Sequence, residues 1–335
     1  MIHINFLTSS PNINRSSYRI WVHEINDLLL VRHDVKTKIA RNLNEIDKTC
    51  QVIILGKSCY KNVDIVKKMY PNKIIGAINV DADFKNSNID FVIVGSIEEY
   101  ASLSFYKNVF IVDLVEQKFM NLPIKNHIDK KDIIIGFHGH HPHLFKFFPF
   151  IKSAIENINK ETKVTLKVII GDKNFKWVYG KPNIKNIEIY YYDEINVLET
   201  IKTFDIGIVP NVLDMRIFEN FNKIAETKNL EIGINTTDYF LRFKNKTNPG
   251  RSYVFYQSGI PVIHDLSPSN YAFMQEAGLY ACAHDAQSWE KEIRKFLNYE
   301  VRNKHAKKFH EIFHKRFNDK IRIENFINNI KSLIN

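Results

Sequence analysis

Cysteine is scarce in this chain. Its 335 residues include three, Cys50, Cys59 and Cys282, too few and too scattered for a disulfide framework or a zinc ribbon. A reducing compartment fits that usage. Long apolar runs are missing too. The longest, such as Val52–Leu55 and Ile133–Ile135, fall far short of the ~20 residues needed to cross a bilayer. The opening MIHINFLTSS has neither the basic stretch nor the apolar core of a secretory signal. There is no short-period repeat and no low-complexity segment. The expectation is a cytoplasmic protein, peripheral at most on the inner face of a membrane.

Acidic residues are in deficit. Lys and Arg number 47 against 37 Asp and Glu, a formal charge of +10. Such a balance favours anionic partners. Codon bias contributes to it, since Asn, Ile and Lys are all abundant. The excess is uneven: residues 290–335 hold 12 Lys/Arg and 6 Asp/Glu. Hydrophobic residues at 44% and charged residues at 25% exclude collagen-like and wholly disordered chains. No RNA-binding aromatic signature, zinc finger or clear helix-turn-helix is present, so nucleic acid is not an expected partner.

Short β-branched runs alternate with helical periodicity. Ile2–Leu7, Val52–Leu55, Ile74–Asn79, Phe91–Val94 and Val109–Val112 read as strands. Between the first two, Tyr18, Trp21, Val22, Ile25, Leu28 and Leu29 recur at helical spacing. The polar segment 121–132, with Pro123, reads as a linker. A second alternation follows, with strands at Ile133–Phe137, Val164–Ile170, Ile187–Tyr191, Ile206–Val209 and Pro261–Ile263. The fold expected is α/β, two doubly wound Rossmann-like domains facing across a cleft. Residues 1–125 form the first and 130–305 the second, and a helix in 306–335 crosses back to the first. Phe309, Ile312, Phe313, Phe317, Ile323, Phe326, Ile327 and Ile330 give that tail apolar faces between basic positions. It either packs inward or lies on an anionic membrane.

Ligands of open α/β sheets bind beyond the carboxyl ends of strands, so those loops carry the candidates. Thr8–Arg19 offers hydroxyls, Arg15 and Arg19, or is an ordinary capped loop. In Gly136-Phe-His-Gly-His-His-Pro-His143, Gly139 lets the backbone approach a phosphate. His138 and His140 stand beside it as candidate phosphate or substrate contacts, unless the segment is an ordinary surface loop. His138, His140, His141 and His143 are too close in sequence to converge on one metal ion, and no metal site is expected. Asp81 and Asp83 spell a D-x-D pair that occurs readily by chance. Phe204-Asp-Ile-Gly-Ile-Val-Pro-Asn211 is a strand stopped by proline, with Asn211 beyond it. Arg242, Lys244, Lys246 and Arg251 fall within ten residues, in a polar loop before a short helix. Cations at a helix start suit a diphosphate. Ser252 follows in that helix, and Asp265 follows the next strand.

The pattern DIGIVP, then a basic loop, then R-S-Y-x-x-x-Q-S-G-I-P-V-I resembles the C-terminal half of GT-B glycosyltransferases, most of all their retaining, family-4-like group. IGFHGHHPHLFKF is similar to that family's G-x-x-G-type loop. The resemblance covers residues 133–335 by motif and the first half by architecture. It implies a transferase moving a sugar from a nucleotide-sugar donor to a hydroxyl of a bacterial surface glycan or glycolipid, without a metal or a bound cofactor. Arg251, Lys246 and His138 are the implied catalytic residues. Gly139, His140, Asn211, Arg242, Lys244, Ser252 and Asp265 are the implied donor contacts. His138, His140 or Asp83 would serve if a general base is needed. The family's paired glutamates, with seven residues between them, have no counterpart: the aligned positions are Asn248 and Tyr256. An epimerase or a sugar-nucleotide-binding protein of the same fold is the alternative.

Overall fold

A computed structural model describes residues 1–57, 59–81, 83–145, 148–177, 180–211 and 248–334, with only the backbone given at 145, 148 and 149. Contacts divide the chain into two compact units. The first holds Met1–Met120, Asn248–Gly250 and His314–Asn335, and the second Asn121–Thr247 and Arg251–Phe313.

The first unit is built on β1 (Ile2–Leu7), β2 (Val35–Ala40), β3 (Val52–Leu55), β4 (Ile74–Ile78), β5 (Phe91–Val94) and β6 (Val109–Ile111). They form one parallel sheet in the order β2-β1-β3-β4-β5-β6. Its helices include α1 (Glu24–Leu30), α2 (Val63–Met69) and α3 (Ile97–Ser102). Apolar side chains alternate between two faces, as a pleated strand requires. Val52 and Ile54 join Ile4 and Phe6 on one side. Ile53 and Leu55 join Ile75, Ala77 and the α2 residues Val63 and Val66 on the other. Both faces are therefore covered, which explains why β3 and β5 read as unbroken apolar runs.

The second sheet comprises β7 (Asp132–Gly139), β8 (Lys163–Ile170), β9 (Asn186–Tyr191), β10 (Ile206–Val209), β11 (Val262–Asp265) and β12 (Cys282–Ala283). Again all strands are parallel, in the order β12-β11-β10-β7-β8-β9. Around it lie α4 (Phe148–Asn159), α5 (Val197–Lys202), α6 (Gly250–Gln257), α7 (Pro268–Ala277), α8 (Ala286–Lys295) and α9 (Tyr299–Arg316). The last helix, α10 (Asp319–Ile334), belongs to the first unit. Its Ile323, Phe326, Ile327 and Ile330 pack with Ile2, Ile4 and Phe6.

Segment 121–132 is tied to the second sheet by named polar contacts. Asp205, buried at the start of β10, accepts from the Ile134 backbone N–H (2.8 Å) and pairs with Lys125 and Lys130. Asn303 and His127 exchange two hydrogen bonds through the His127 backbone. Arg302 is fully buried. It donates to the carbonyls of Phe296 and Leu297, just past α8, and to that of Ile128. One guanidinium thus satisfies two carbonyls left over at the end of α8 and ties them to the segment at Ile128.

Arg302→Met keeps the volume but strands those acceptors. It should destabilise the protein by about 1–3 kcal/mol, lowering Tm by roughly 5 °C on calorimetry. An unchanged Tm would mean that the carbonyls are satisfied otherwise.

Candidate functional site

The strand order of the second sheet reverses at β7. Its two neighbours are β8, next in sequence, and β10, reached by a crossover. Ile206 lies beside Ile135 and Gly207 beside Gly136. The carboxyl ends of β7 and β10 therefore emerge side by side at a topological switch point, where such sheets bind ligands. His138 and Gly139 end β7, and Pro210 and Asn211 follow β10.

Arg251, in the first turn of α6, joins the two strand ends. Its Nη1 donates to the Pro210 carbonyl (2.8 Å) and its Nη2 to Asn211 Oδ1 (2.5 Å). The Arg251 carbonyl accepts from His138 Nε2 (2.9 Å). Since a carbonyl only accepts, the proton sits on that nitrogen. The guanidinium carbon stands 6.0 Å from the centre of the Phe137 ring. Asn211 is held in turn: its backbone N–H donates to Asp265 Oδ2 at 3.2 Å, at the end of β11. Arg251 is half-buried. Burial lowers its pKa to about 10, against the opposing pull of Asp265. It stays charged at neutral pH. Two of a guanidinium's five N–H groups are used by Pro210 and Asn211. The others have no partner among the described residues, which leaves donors for an anion.

Gly139 makes this approach possible. Its φ is +129°, a conformation that favours glycine, and a Cβ there would stand 2.6 Å from Arg251 Cδ. The start of α6 is shaped by Asn248, whose Oδ1 accepts from the Gly250 N–H (3.3 Å) and whose amide donates to the buried Glu99 (3.2 Å).

A second layer fixes α6 to β11. His264 is fully buried between Ser252 Oγ, 3.0 Å from Nδ1, and the Tyr256 hydroxyl, 2.8 Å from Nε2. A neutral imidazole has one donor and one acceptor nitrogen, which two hydroxyls match. Burial, reinforced by the Arg251 charge, lowers the His264 pKa to about 3. Ser252 is itself fully buried, so it acts as a strut for the helix rather than an exposed donor contact. His143 is also pushed well below the usual histidine range, by burial and then by Arg251 and His140.

The structure thus brings together His138, Gly139, Asn211, Arg251 and Asp265. His140 follows in the next turn, its ring 6.2 Å from that of His143. His138 spends Nε2 on a backbone carbonyl and is buried, a geometry suited to positioning Arg251. Arg242, Lys244 and Lys246 lie outside the described residues. One other expectation is corrected. Arg19 is buried, pairs with Glu116 at 2.9 Å and donates to the Ile13 carbonyl; it holds its own loop and is not presented to a ligand. Asp81 accepts from the Tyr60 hydroxyl (2.6 Å), and burial with this carboxylate raises Tyr60 to about 12. Among the described residues no three metal-binding side chains cluster. Sequence reasoning missed His264 and Phe137, which look like ordinary strand residues; only the Ser252–Tyr256 spacing on one helix face hinted at a shared partner.

No family model matches this chain, and no curated protein matches it. Solved structures do. HepE of Anabaena, in complex with UDP-glucose, is 10% identical with a TM-score of 0.63, over 99% of this chain and all of its own. OtsA in its apo form is 10% identical with a TM-score of 0.57, over 99% of each chain. TarM of S. aureus, in complex with UDP and α-GlcNAc-glycerol, is 14% identical with a TM-score of 0.55, over 83% of this chain. The chain spans 55% of the TarM chain's length. At these identities the likeness is one of fold. The two six-stranded parallel α/β units are the GT-B architecture of glycosyltransferases.

His264 gives this site a pH signature. Its folded pKa of about 3 lies below the ~6.5 of an exposed histidine. The unfolded chain binds the proton first, so stability is full above pH 6.5 and is lost as pH falls toward 3. His127, lowered by burial to about 4, acts in the same direction. Tm should decline steadily from pH 6.5 to 4 in a scan at constant ionic strength. A flat profile across that window would show that neither histidine is held neutral.

Proposed function

We propose that this protein is a glycosyltransferase that moves a sugar from a nucleotide-sugar donor to a hydroxyl of a bacterial surface glycan or glycolipid. The observation that carries the reading is the Arg251 guanidinium, fixed between Pro210 and Asn211 at the β7–β10 switch point with donors to spare. The fold likeness to HepE, whose structure holds UDP-glucose, supports it.

In the reaction the bond between the anomeric carbon and the diphosphate oxygen breaks, and the acceptor oxygen bonds to that carbon. The acceptor proton passes to a leaving phosphate oxygen or to a base. Negative charge grows on the departing diphosphate. Arg251 stabilises it there, and the guanidinium, already oriented by two hydrogen bonds, reorganises little. Lys244 and Lys246 share the phosphate charge in this reading, and Arg242 and His140 contact the donor. The cations take the part that a divalent metal plays elsewhere, so activity survives EDTA. His138 holds the Arg251 backbone, and Asp265 holds Asn211. The overall positive charge favours peripheral contact with an anionic membrane, where a glycolipid acceptor resides.

Arg251→Ala should lower kcat/KM by roughly 10²–10³, about 2.7–4 kcal/mol of transition-state stabilisation. Arg251→Lys should recover part of it, keeping the charge but losing the fork. Transfer is read by product mass with nucleotide-sugar donors. Wild-type turnover by Arg251→Ala would remove the main support for the assignment. Donor conversion without acceptor would point to an epimerase instead.

A further inference from the structure

The second unit carries a basic surface separate from the switch point. Lys304, Lys307 and Lys308 occupy positions i, i+3 and i+4 of α9, hence one helix face. All three are exposed. With the turn Ala277–Leu279 and Glu311 they line a groove of about 440 Å³. Among the described residues no carboxylate lies within ion-pair distance of any of the three, unlike Lys295, which pairs with Glu292. The opposite face of α9 is committed to the core: Phe309 and Phe313 are buried, Phe309 against the rings of Tyr256 and Phe273 and Phe313 edge-on to that of Tyr253. The helix is therefore anchored and its lysine face is free to meet another surface.

Two exposed aromatic residues lie close in sequence to the turn that lines this groove. Tyr271 and Tyr280 flank the turn in sequence, are 44% and 46% exposed, and have ring centres 6.0 Å apart. The turn is short and open: Gly278 ends α7 in the left-handed conformation, and a Cβ there would meet nothing within 4 Å. Exposed tyrosines flanking the turn of the groove, with three lysines that outnumber its one carboxylate, Glu311, match the layered chemistry of a membrane interface, amphipathic rings at the headgroup level and cations against anionic phosphates. A nucleic-acid surface would call for stacking platforms along a continuous basic track, which three lysines and one ring pair do not supply.

We infer that the Lys304–Lys307–Lys308 face with Tyr271 and Tyr280 is the docking surface for an anionic phospholipid bilayer. This narrows the membrane contact proposed above to one face, and it rests on that contact but not on catalysis. Three lysines near such a surface together account for roughly a hundredfold in affinity.

The experiment is co-sedimentation of the full chain with vesicles of phosphatidylcholine alone or with roughly 30 mol% of the anionic lipid phosphatidylglycerol. Wild type should pellet with the anionic vesicles only. Replacing all three lysines by alanine should weaken binding roughly a hundredfold with unchanged Tm, and Tyr271→Ser with Tyr280→Ser should weaken it further. A control removes Lys160, Lys163 and Lys185, an equal charge lining a different groove where Lys163 pairs with Asp132. It should bind as wild type does. Equal loss in both triple variants, or full binding by the α9 variant, overturns the face while sparing the membrane contact. No binding by wild type to anionic vesicles, or binding to single-stranded RNA in their place, overturns both.

Discussion

The parallel pairing of β7 with β10 is the contact on which the candidate site depends. It sets Ile206 beside Ile135 and Gly207 beside Gly136. Continued two or three residues further, the same register brings the ends of the two strands to the base of α6. Glycine permits this closeness where larger residues would forbid it. A Cβ on Gly136 would fall 1.8 Å from the Phe204 ring, and one on Gly207 2.8 Å from Phe255. Those two rings are the packing that seats α6 against the sheet. Arg251 is then carried to the switch point by the helix rather than by a pliable loop.

Two layers of polar contacts hold the guanidinium in place. The inner one joins Arg251 to Pro210, Asn211 and His138, and Asn211 to Asp265. The outer one is the buried Ser252–His264–Tyr256 chain. A charge near low-dielectric surroundings is costly unless partnered, which explains why Arg251 has both an orienting shell and Asp265 nearby. A neutral His264 adds no competing positive charge.

Much of the architecture was legible because parallel strands buried on both faces announce themselves as apolar runs. β3 and β5 are such runs. β2 was not legible: Lys36 and Lys38 alternate with its buried positions, the pattern of an edge strand guarded by charge. β12 has two residues, too few for any periodicity. The tail read as one crossing helix is two, α9 and α10, broken after Arg316. At the site, Arg251 and Asn211 were legible from their places before a helix and after a strand. His138 was legible as a member of the site but not in its role, since facing a backbone carbonyl leaves no trace in sequence. Arg19 read as a candidate ligand contact and Arg302 carried no signal in sequence; only burial reveals them as struts for carbonyls and carboxylates.

The central claim is that Arg251 is a ready-made cation for a diphosphate at the end of the second sheet. Titration calorimetry tests it directly, with UDP, GDP, CDP, ADP and dTDP, and with the matching monophosphates, in the presence of EDTA. At least one diphosphate should bind, more tightly than its monophosphate. The difference should shrink with salt and vanish in Arg251→Ala at unchanged Tm. Equal binding of diphosphate and monophosphate, or diphosphate affinity untouched by loss of Arg251, would contradict the account.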